Sequence, residues 1–278
     1  MSAEMSSTVV VRTNNDMRVI REALDAIFSQ KVDLPVEYLL VDEASHDGTL
    51  EVARTYPFDV VIPLKAFRCG SHTLNQAYAK ARGDLIINVL GHTVLNGVDN
   101  FQILLDTMRW QEVGAAYGRQ LPHERGNPFR NVDFLMGYDG QRRERNVLSL
   151  AFSILRRQLW EEDPFDEAFG EAEDKHWARG IIQKGFKILY EPDASVAHCD
   201  TLNWGWYGMK HWREARDGRR LGISKRRHHL SIPAKVVYDW RYLSDRRFLL
   251  ASPFFRTWQA MAYLAGWYLE DLRRLSSR

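Results

Sequence analysis

The sequence has few of the features that mark secreted, disulfide-bonded or membrane-spanning proteins. Only two of its 278 residues are cysteines, Cys69 and Cys199, which favours free thiols in a reducing compartment over a disulfide framework. Residues 1–7 contain no basic segment followed by an apolar run, so no secretory signal is expected. No apolar run reaches the roughly 20 residues that cross a bilayer. These absences predict a cytoplasmic location.

Two nucleotide-binding signatures are absent as well. The first apolar segment, residues 8–11, is not followed by the glycine-rich turn of dinucleotide-binding proteins, and no phosphate-binding loop with a Lys-Ser/Thr ending occurs. A redox enzyme or a nucleoside triphosphatase is therefore disfavoured. A sugar-phosphate nucleotidyltransferase would require a glycine-rich loop with a basic residue at this place, and the chain has Arg12-Thr13-Asn14-Asn15 instead.

Charge is distributed unevenly along the chain. The net charge is +2, but the residues from Met209 onward hold 16 Lys and Arg against 6 Asp and Glu, which is +10. The remaining 208 residues hold 22 against 30, which is −8, and six of the nine tryptophans lie after position 200. This asymmetry predicts two parts with different partners, a domain over residues 1–200 and a helical extension over residues 201–278.

The extension contains a basic run, Lys225 to His229, and an aromatic and apolar set at helical spacing from Phe254 to Ala265. These residues could pack on the domain. They could instead lie on the inner face of the plasma membrane, with rings among the headgroups and Lys or Arg near anionic lipid. A nucleic-acid partner is not expected, because no recognised motif supports one.

The first ninety residues alternate between short apolar runs and amphipathic segments. Such alternation predicts an α/β fold with a mostly parallel sheet and right-handed crossovers. Ligands of these sheets bind beyond the carboxyl ends of the strands, so the loops that follow Val11, Val41 and Leu90 are the candidate site. Strands are predicted at residues 8–11, 36–41, 60–62 and 85–90. Three helices are predicted: one with Ile20, Leu24, Ile27 and Phe28 on a single face, one that begins at Leu50, and one over residues 70–81.

An acidic stretch, residues 165–177, precedes a further helical pattern. Glu173 and Asp174 fall in its first turn, where the helix macrodipole favours ionised carboxylates. A carboxylate that stays charged at neutral pH can accept a proton, as a general base must. A solvated acidic helix start is the alternative.

Three segments together resemble the family 2 glycosyltransferases of the GT-A fold. They are Val9 to Asn15, Val41 to Thr49, and Ala172 to Trp177, in this order. The similarity extends from Val9 to Cys199 and includes Gly83-Asp84 and the segment that runs from Lys184 into His198. A further segment, Gly118 to His123, is similar to bacterial rhamnosyltransferase-like members that build surface polysaccharides.

This resemblance implies an inverting transfer of a sugar from a UDP- or dTDP-linked donor to a hydroxyl of a lipid-linked or polysaccharide acceptor. In the family, the first loop and the aspartate of the second strand bind the nucleotide. The corresponding residues are Arg12, Thr13, Asn14 and Asp42.

The resemblance also assigns the acidic pair. An aspartate of the family deprotonates the acceptor hydroxyl, which corresponds to Asp174, and Glu173 would support or orient it. Trp177, one turn further along, could contact the acceptor or pack in the core.

One motif departs from the family pattern. The fourth strand usually ends in Asp-x-Asp, which holds a divalent metal on the donor diphosphate, whereas this chain has Leu90-Gly91-His92-Thr93. Some members use Asp-x-His, and a second metal-binding histidine would correspond to His198. The resemblance therefore implies Mn²⁺ or Mg²⁺ on His92 and His198, with Gly91 and His92 beside the donor. The alternative is a nucleotide-sugar-binding module without catalysis, against which the retained Glu173 and Asp174 argue.

Overall fold

The computed structural model describes residues 6–136, 140–170, 172–222 and 232–276. The strands are β1 (Ser7–Thr13), β2 (Val36–Asp42), β3 (Val60–Pro63), β4 (Leu85–Leu90), β5 (Thr93–Leu95), β6 (Val113–Pro122), β7 (Arg143–Arg145), β8 (Phe152–Arg156) and β9 (Lys187–His198). The helices are α1 (Ile20–Phe28), α2 (Thr49–Ala53), α3 (Gly70–Tyr78), α4 (Asn100–Thr107), α5 (Pro128–Met136), α6 (Arg157–Glu162), α7 (Glu173–Gln183), α8 (Trp204–Arg220), α9 (Ile232–Tyr242) and α10 (Arg246–Ser276).

These elements form one central sheet with the order β3-β2-β1-β4-β8-β6-β9-β5, and β7 pairs with β9. The first four strands are parallel, and the strands and helices predicted before Leu90 are confirmed with small shifts at their ends. Beyond Leu90 the sheet is mixed, because β8 lies antiparallel between β4 and β6. A long connection through α5 and β7 joins β6 to β8, and a connection of this length permits either strand direction.

The core consists of two layers, one on each face of this sheet. Val9 and Val11 belong to one cluster of buried residues, whereas Val10 belongs to the other. Successive side chains of a strand point to opposite faces, so an all-apolar strand must be covered on both sides. β1 is therefore an interior strand that is covered on both faces, and its carboxyl end opens between the two layers of helices.

The helices that follow His198 pack on this domain through α5. The rings of Phe129 in α5 and Phe255 in α10 are stacked, with centroids 4.2 Å apart, and Tyr207 of α8 joins the same cluster. α10 also lies directly against α8, since a Cβ added at Gly266 would be 2.1 Å from the backbone oxygen of Trp212. The predicted basic run at residues 225–229 lies outside the described residues.

A fully buried arginine joins three helices at this junction. The guanidinium of Arg256 donates to both oxygens of Asp239, at 2.9 and 2.7 Å, and to the backbone oxygen of Phe129 at 2.9 Å. It also donates to Asp133 of α5 at 3.1 Å. Within the described residues, no helix is both long enough and apolar enough to cross a membrane.

Candidate active site

The loops that follow β1, β2 and β4 meet at the carboxyl end of the parallel strands. The amide of Glu43 donates to the backbone oxygen of Thr13 at 2.9 Å, and that of Gly91 donates to the oxygen of Arg12 at 2.7 Å. Two residues adopt the left-handed conformation that non-glycine residues rarely take, Asn15 at φ 54° and Ala44 at φ 57°. Such strained backbone gathers at functional sites, where the surrounding contacts over-determine it.

Arg12 is the residue through which these loops reach the start of α7. Its guanidinium forms a two-point ion pair with Glu43, with Nε–Oε1 at 2.8 Å and Nη2–Oε2 at 3.3 Å. A Cβ added at Gly70 would lie 2.9 Å from Oε1 of Glu173 and 3.0 Å from Nη1 of Arg12. Arg12 and Glu173 therefore converge on the same point, above the first residue of α3.

Asp42 is buried and its hydrogen bonds are internal. One carboxylate oxygen accepts from the Ser45 amide at 2.9 Å, and the other accepts from the hydroxyls of Ser45 at 2.6 Å and Thr13 at 2.9 Å. Asn14, in contrast, is exposed and donates to the backbone oxygen of Glu43 at 2.7 Å. Asp42 thus fixes the two loops to one another, and Asn14 lies on their open side.

Asp42→Ala is expected to weaken binding of a free nucleoside diphosphate while the protein stays folded, because three hydrogen bonds that fix Thr13 and Ser45 are lost. Calorimetric titration of UDP and dTDP measures the change. The matched control is Glu51→Ala, an exposed carboxylate on the neighbouring helix α2. Unchanged nucleotide affinity in a folded Asp42→Ala protein would remove Asp42 from the site.

Gly91 is buried where β4 passes the loop after β1. An added Cβ would lie 2.5 Å from the methyl group of Thr13 and 2.8 Å from a carboxylate oxygen of Asp16. Glycine is therefore required for close approach of the two segments, and this approach brings the next residue, His92, against Asp16.

Three possible metal ligands converge beside this contact. His92, His198 and Asp200 each offer one ligand atom, and the three atoms lie within 4.8 Å of one another. β5 and β9 bring them together, since Thr93 pairs with His198 in the antiparallel ladder. The structure therefore places the two predicted histidines together, with ring centroids 5.0 Å apart, and adds a carboxylate that the sequence motifs did not indicate.

The outer nitrogens of both imidazoles face hydrogen-bond acceptors. Nδ1 of His92 lies 3.1 Å from a carboxylate oxygen of Asp16, and Nδ1 of His198 lies 2.7 Å from Oε1 of Gln120. In the tautomer with the hydrogen on Nδ1, each neutral ring donates to these acceptors and presents its Nε2 lone pair inward. Nε2 of His198 is 3.2 Å, and Nε2 of His92 3.8 Å, from the same oxygen of Asp200. Three lone pairs directed at one another are the arrangement that a bound cation satisfies.

The electrostatics of this cluster favour a positive charge. Burial lowers the pKa of His198 to about 4, so its ring is neutral at pH 7 and available as a ligand. Burial also lowers the pKa of His92, but Asp16 and Asp200 outweigh it and raise that pKa overall. For Asp200, the effect of burial is overcome by His198, Lys210 and Arg130, which hold its pKa well below the usual value. The carboxylate is therefore ionised.

Asp200 is held in place from outside the strands. Its second oxygen accepts from the Tyr207 hydroxyl of α8 at 3.1 Å and lies 3.5 Å from Nε of Arg130 in α5. Arg130 in turn stacks on the ring of Phe134 at 4.7 Å. The helices that follow the sheet thus help to build this cluster.

The acidic pair begins α7, as the sequence predicts. Glu173 is buried and Asp174 is half-buried, both in the first turn of the helix. The next residue, Lys175, forms a 2.8 Å ion pair with Glu214 of α8. This ion pair links the start of α7 to the C-terminal helices.

Trp177 does not take part in the open site. Its side chain is 1% exposed and packs on Phe165, with ring centroids 5.8 Å apart. The interpretation of Trp177 as a substrate contact is therefore wrong, and the packing alternative applies. Trp177 and Ile181 lie four residues, or about one turn, apart on the same face of α7, and both side chains belong to the same core layer.

Two site residues that sequence reasoning missed have weak signals in the chain. Asp200 follows His198 by two positions, and an extended segment directs alternate side chains to one side. Asp16 lies at the end of the loop after β1, and an acidic residue at this position is equally typical of a helix cap.

The sequence of this chain is similar to those of known proteins. A family model described as Glycosyl transferase family 2 matches residues 8–162. The O-antigen chain rhamnosyltransferase WbaN of Salmonella anatum is 29% identical over 210 residues, covering 69% of this chain and 66% of that protein. The chain thus spans just under two thirds of the length of this curated relative.

Solved structures show the same fold at low sequence identity. Mannosyltransferase PcManGT from Pyrobaculum calidifontis, in complex with GDP-Man and Mn²⁺, superposes with a TM-score of 0.66 at 20% identity, covering 98% of this chain and 88% of that one. S. aureus TarS 1-349 in complex with UDP-GlcNAc gives a TM-score of 0.57 at 14% identity, covering 98% and 92%. These similarities confirm the GT-A fold predicted from the sequence.

Proposed function

This chain belongs to glycosyl transferase family 2, and we propose on that basis that it transfers a sugar from a nucleoside-diphosphate donor to a hydroxyl of a lipid-linked or polysaccharide acceptor. The observation that carries the proposal is the convergence of the β1, β2 and β4 loops with the His92, His198 and Asp200 cluster. The rhamnosyltransferase names of the relatives support a deoxyhexose, rhamnose in particular, as the sugar.

The nucleotide is assigned to the loops that Asp42 fixes together. Asn14 is exposed there and available to a ligand, and Arg12 contributes positive charge that Glu43 keeps in position. The donor diphosphate would extend from these loops toward His92, because the Gly91 amide joins the two regions through the backbone oxygen of Arg12.

The residues of the cluster fit a divalent cation. Two imidazole nitrogens and one carboxylate oxygen suit Mn²⁺ better than Mg²⁺, since nitrogen ligands favour the later metal. A cation held by His92, His198 and Asp200 supplies positive charge for the donor diphosphate. Asp16 and Gln120 orient the two imidazoles through Nδ1, as outer partners of metal ligands do.

The chemical step is assigned to Asp174. Its carboxylate takes the proton of the acceptor hydroxyl as that oxygen attacks the anomeric carbon. The bond from this carbon to the diphosphate oxygen breaks, and the leaving nucleoside diphosphate keeps the electron pair. A single base with direct displacement inverts the anomeric configuration, whereas retention by double displacement would need a carboxylate nucleophile. Glu173 lies beside Arg12 and supports the arrangement.

A binding module without catalysis is the second candidate, and the absence of Asp-x-Asp favours it. Turnover distinguishes the two. The proposed enzyme releases nucleoside diphosphate from its nucleotide sugar, measurably faster with Mn²⁺ than in EDTA. Tight binding of nucleotide sugars with neither hydrolysis nor transfer, across UDP- and dTDP-linked donors, would identify the binding module instead.

Asp200→Asn is expected to weaken Mn²⁺ binding by at least about tenfold, because one anionic ligand is lost; changes to outer partners of metal ligands alone cost about 10–100-fold. Calorimetric titration of Mn²⁺ in the presence of nucleoside diphosphate measures this without any turnover. Affinity should also rise with pH through the raised pKa of His92, since proton and metal compete for the ring.

His72→Ala is the matched control for this prediction. His72 pairs with Glu167 at 3.0 Å and is not part of the cluster. Its replacement should leave Mn²⁺ affinity unchanged. Equal affinity in the wild type and in Asp200→Asn would mean that the cluster is not the metal site.

A further inference from the structure

Helix α10 carries an apolar stripe that faces solvent along most of its length. Its large members are highly exposed, Leu250 at 77%, Phe254 at 74% and Leu272 at 61%. With 3.6 residues per turn, the positions of this stripe fall within an arc of about 80° over about 33 Å. The stripe, called the α10 stripe below, comprises Leu250, Phe254, Trp258, Met261, Ala265, Tyr268 and Leu272.

The opposite face of α10 makes the contacts with the rest of the protein. Phe255, Arg256, Tyr263 and Glu270 are buried there against α8 and α5. The predicted set from Phe254 to Ala265 therefore divides into two faces, and adjacent residues differ completely: Phe255 is 1% exposed and Phe254 is 74% exposed. The fold leaves the α10 stripe uncovered while it fully uses the other face.

Exposed aromatic residues of α8 and α9 extend this stripe. The indole of Trp240 in α9 donates to the backbone oxygen of Leu249 at 3.1 Å, and that of Trp258 donates to the backbone oxygen of Trp204 at 3.1 Å. Trp240 and Trp204 are themselves 59% and 41% exposed. Three helices thus contribute to one apolar and aromatic surface. A contiguous surface of this kind marks an interaction site.

The highly exposed charges around the stripe are positive. Exposed Arg246 and Arg247 stand at its start, and exposed Arg273 stands at its end. None of the six carboxylates after Met209 is exposed by more than 35%, and each is ion-paired with a basic residue. The sequence from Met209 onward retains a net charge of +10. A second copy of the chain would present the same cationic surface, so repulsion disfavours a dimer through this face.

We propose that the α10 stripe, with Trp240 and Trp204, docks this protein on the surface of an anionic lipid bilayer, with α10 lying in the plane of the interface. A helix with an apolar face, interfacial aromatics and flanking arginines binds at the headgroup boundary, where anionic lipid adds electrostatic attraction. Both halves of this requirement, the uncovered apolar face and the excess of positive charge, are present in the same C-terminal region.

Docking through this surface would set the candidate active site beside the bilayer. Trp204 begins α8, and Tyr207, one turn later, donates to Asp200 of the metal cluster. The relevance of this placement to catalysis rests on the proposed function, whereas the docking itself does not.

The test is sedimentation of the full chain with vesicles of phosphatidylglycerol and phosphatidylcholine, with pure phosphatidylcholine for comparison. The wild type should sediment with anionic vesicles at low salt and less as salt rises, because exposed charges are screened beyond about 10 Å at 0.1 M. The triple variant Leu250→Gln/Phe254→Gln/Leu272→Gln should bind at least about tenfold more weakly, because each change removes a side chain that would leave water.

Trp110→Gln is the matched control, since Trp110 is an exposed aromatic, 47% exposed, in the loop between α4 and β6. It should bind vesicles as the wild type does. Undiminished vesicle binding by the triple variant would overturn the proposal, as would absence of wild-type sedimentation at low salt. A dimer in analytical ultracentrifugation that the triple variant abolishes, without vesicle binding, would assign the surface to a second copy and also overturn it.

The outcome is separable from that of the transferase proposal. The triple variant should bind nucleoside diphosphate with wild-type affinity, and Asp174→Asn should sediment with vesicles as the wild type does. Loss of nucleotide binding in the triple variant would indicate damage to the fold, and the single variant Leu250→Gln, at the most exposed position of the stripe, then provides the measurement. A vesicle affinity equal to that of the wild type in this single variant would also count against docking.

Discussion

Asp174→Asn is expected to lower the turnover of sugar transfer by about 10²–10⁴-fold, the contribution typical of a positioned general base. The amide is nearly isosteric with the carboxylate but cannot take the acceptor proton at neutral pH. The first turn of α7 and the Lys175–Glu214 ion pair should persist, so the affinity for nucleoside diphosphate should stay close to that of the wild type. Rates with saturating donor and acceptor, alongside calorimetric titration of the nucleotide, measure both effects.

Asp193→Asn is the matched control, because Asp193 is an exposed carboxylate of β9 and lies outside the three loops in the sequence. It should retain wild-type turnover. If Asp174→Asn also retains near-normal transfer rates, Asp174 is not the base. A parallel loss of turnover and nucleotide affinity would instead indicate a disturbed nucleotide loop.

Arg256→Met is expected to lower the free energy of unfolding by about 3–5 kcal/mol, the range for breaking a buried ion pair from one side. The guanidinium is fully buried and is the ion-pair partner of Asp239, whose carboxylate is also fully buried. Burial lowers the pKa of Arg256, but Asp239 and Asp133 outweigh it and raise that pKa, so the group is charged. Methionine would fill much of the volume and leave Asp239 without its cation. Chemical denaturation monitored by tryptophan fluorescence measures the loss.

A second substitution tests whether the unpaired charge is the cause. Arg256→Met/Asp239→Asn should recover part of the loss, because the stranded carboxylate becomes a neutral amide. Arg247→Met, which removes the same side chain from the exposed pair with Asp245, should leave the unfolding free energy unchanged within error. An Arg256→Met protein as stable as the wild type would mean that the packing of Phe129 on Phe255 holds this junction by itself.

The first half of the sheet could be predicted from sequence because its strands are buried on both faces. Val9, Val10 and Val11 are all inaccessible to solvent, and strands buried on both faces have continuous apolar sequences. The first turn of α7 could also be predicted, since a local rule about charge at a helix start suffices. Recognition of the loops needed only short motifs in a fixed order, and these local signals determined the family and the fold.

The tertiary structure decided the contacts that join distant segments. Asp200 becomes a candidate ligand only because β5 and β9 pair, and because Tyr207 and Arg130 fix it from two helices. The tertiary structure also decided that Trp177 packs in the core and is not a substrate contact. The sequence could not distinguish the two, because helical spacing is the same for a core residue and a substrate contact.

The tertiary structure also decided which side of α10 is covered. Phe254 and Phe255 are chemically identical neighbours, and their exposed fractions differ because α8 and α5 pack against only one face of the helix. The sequence alone determined that the C-terminal region is basic and aromatic. Which of its residues face solvent depended on long-range packing, because a periodic pattern defines a helix but not the neighbours that bury it.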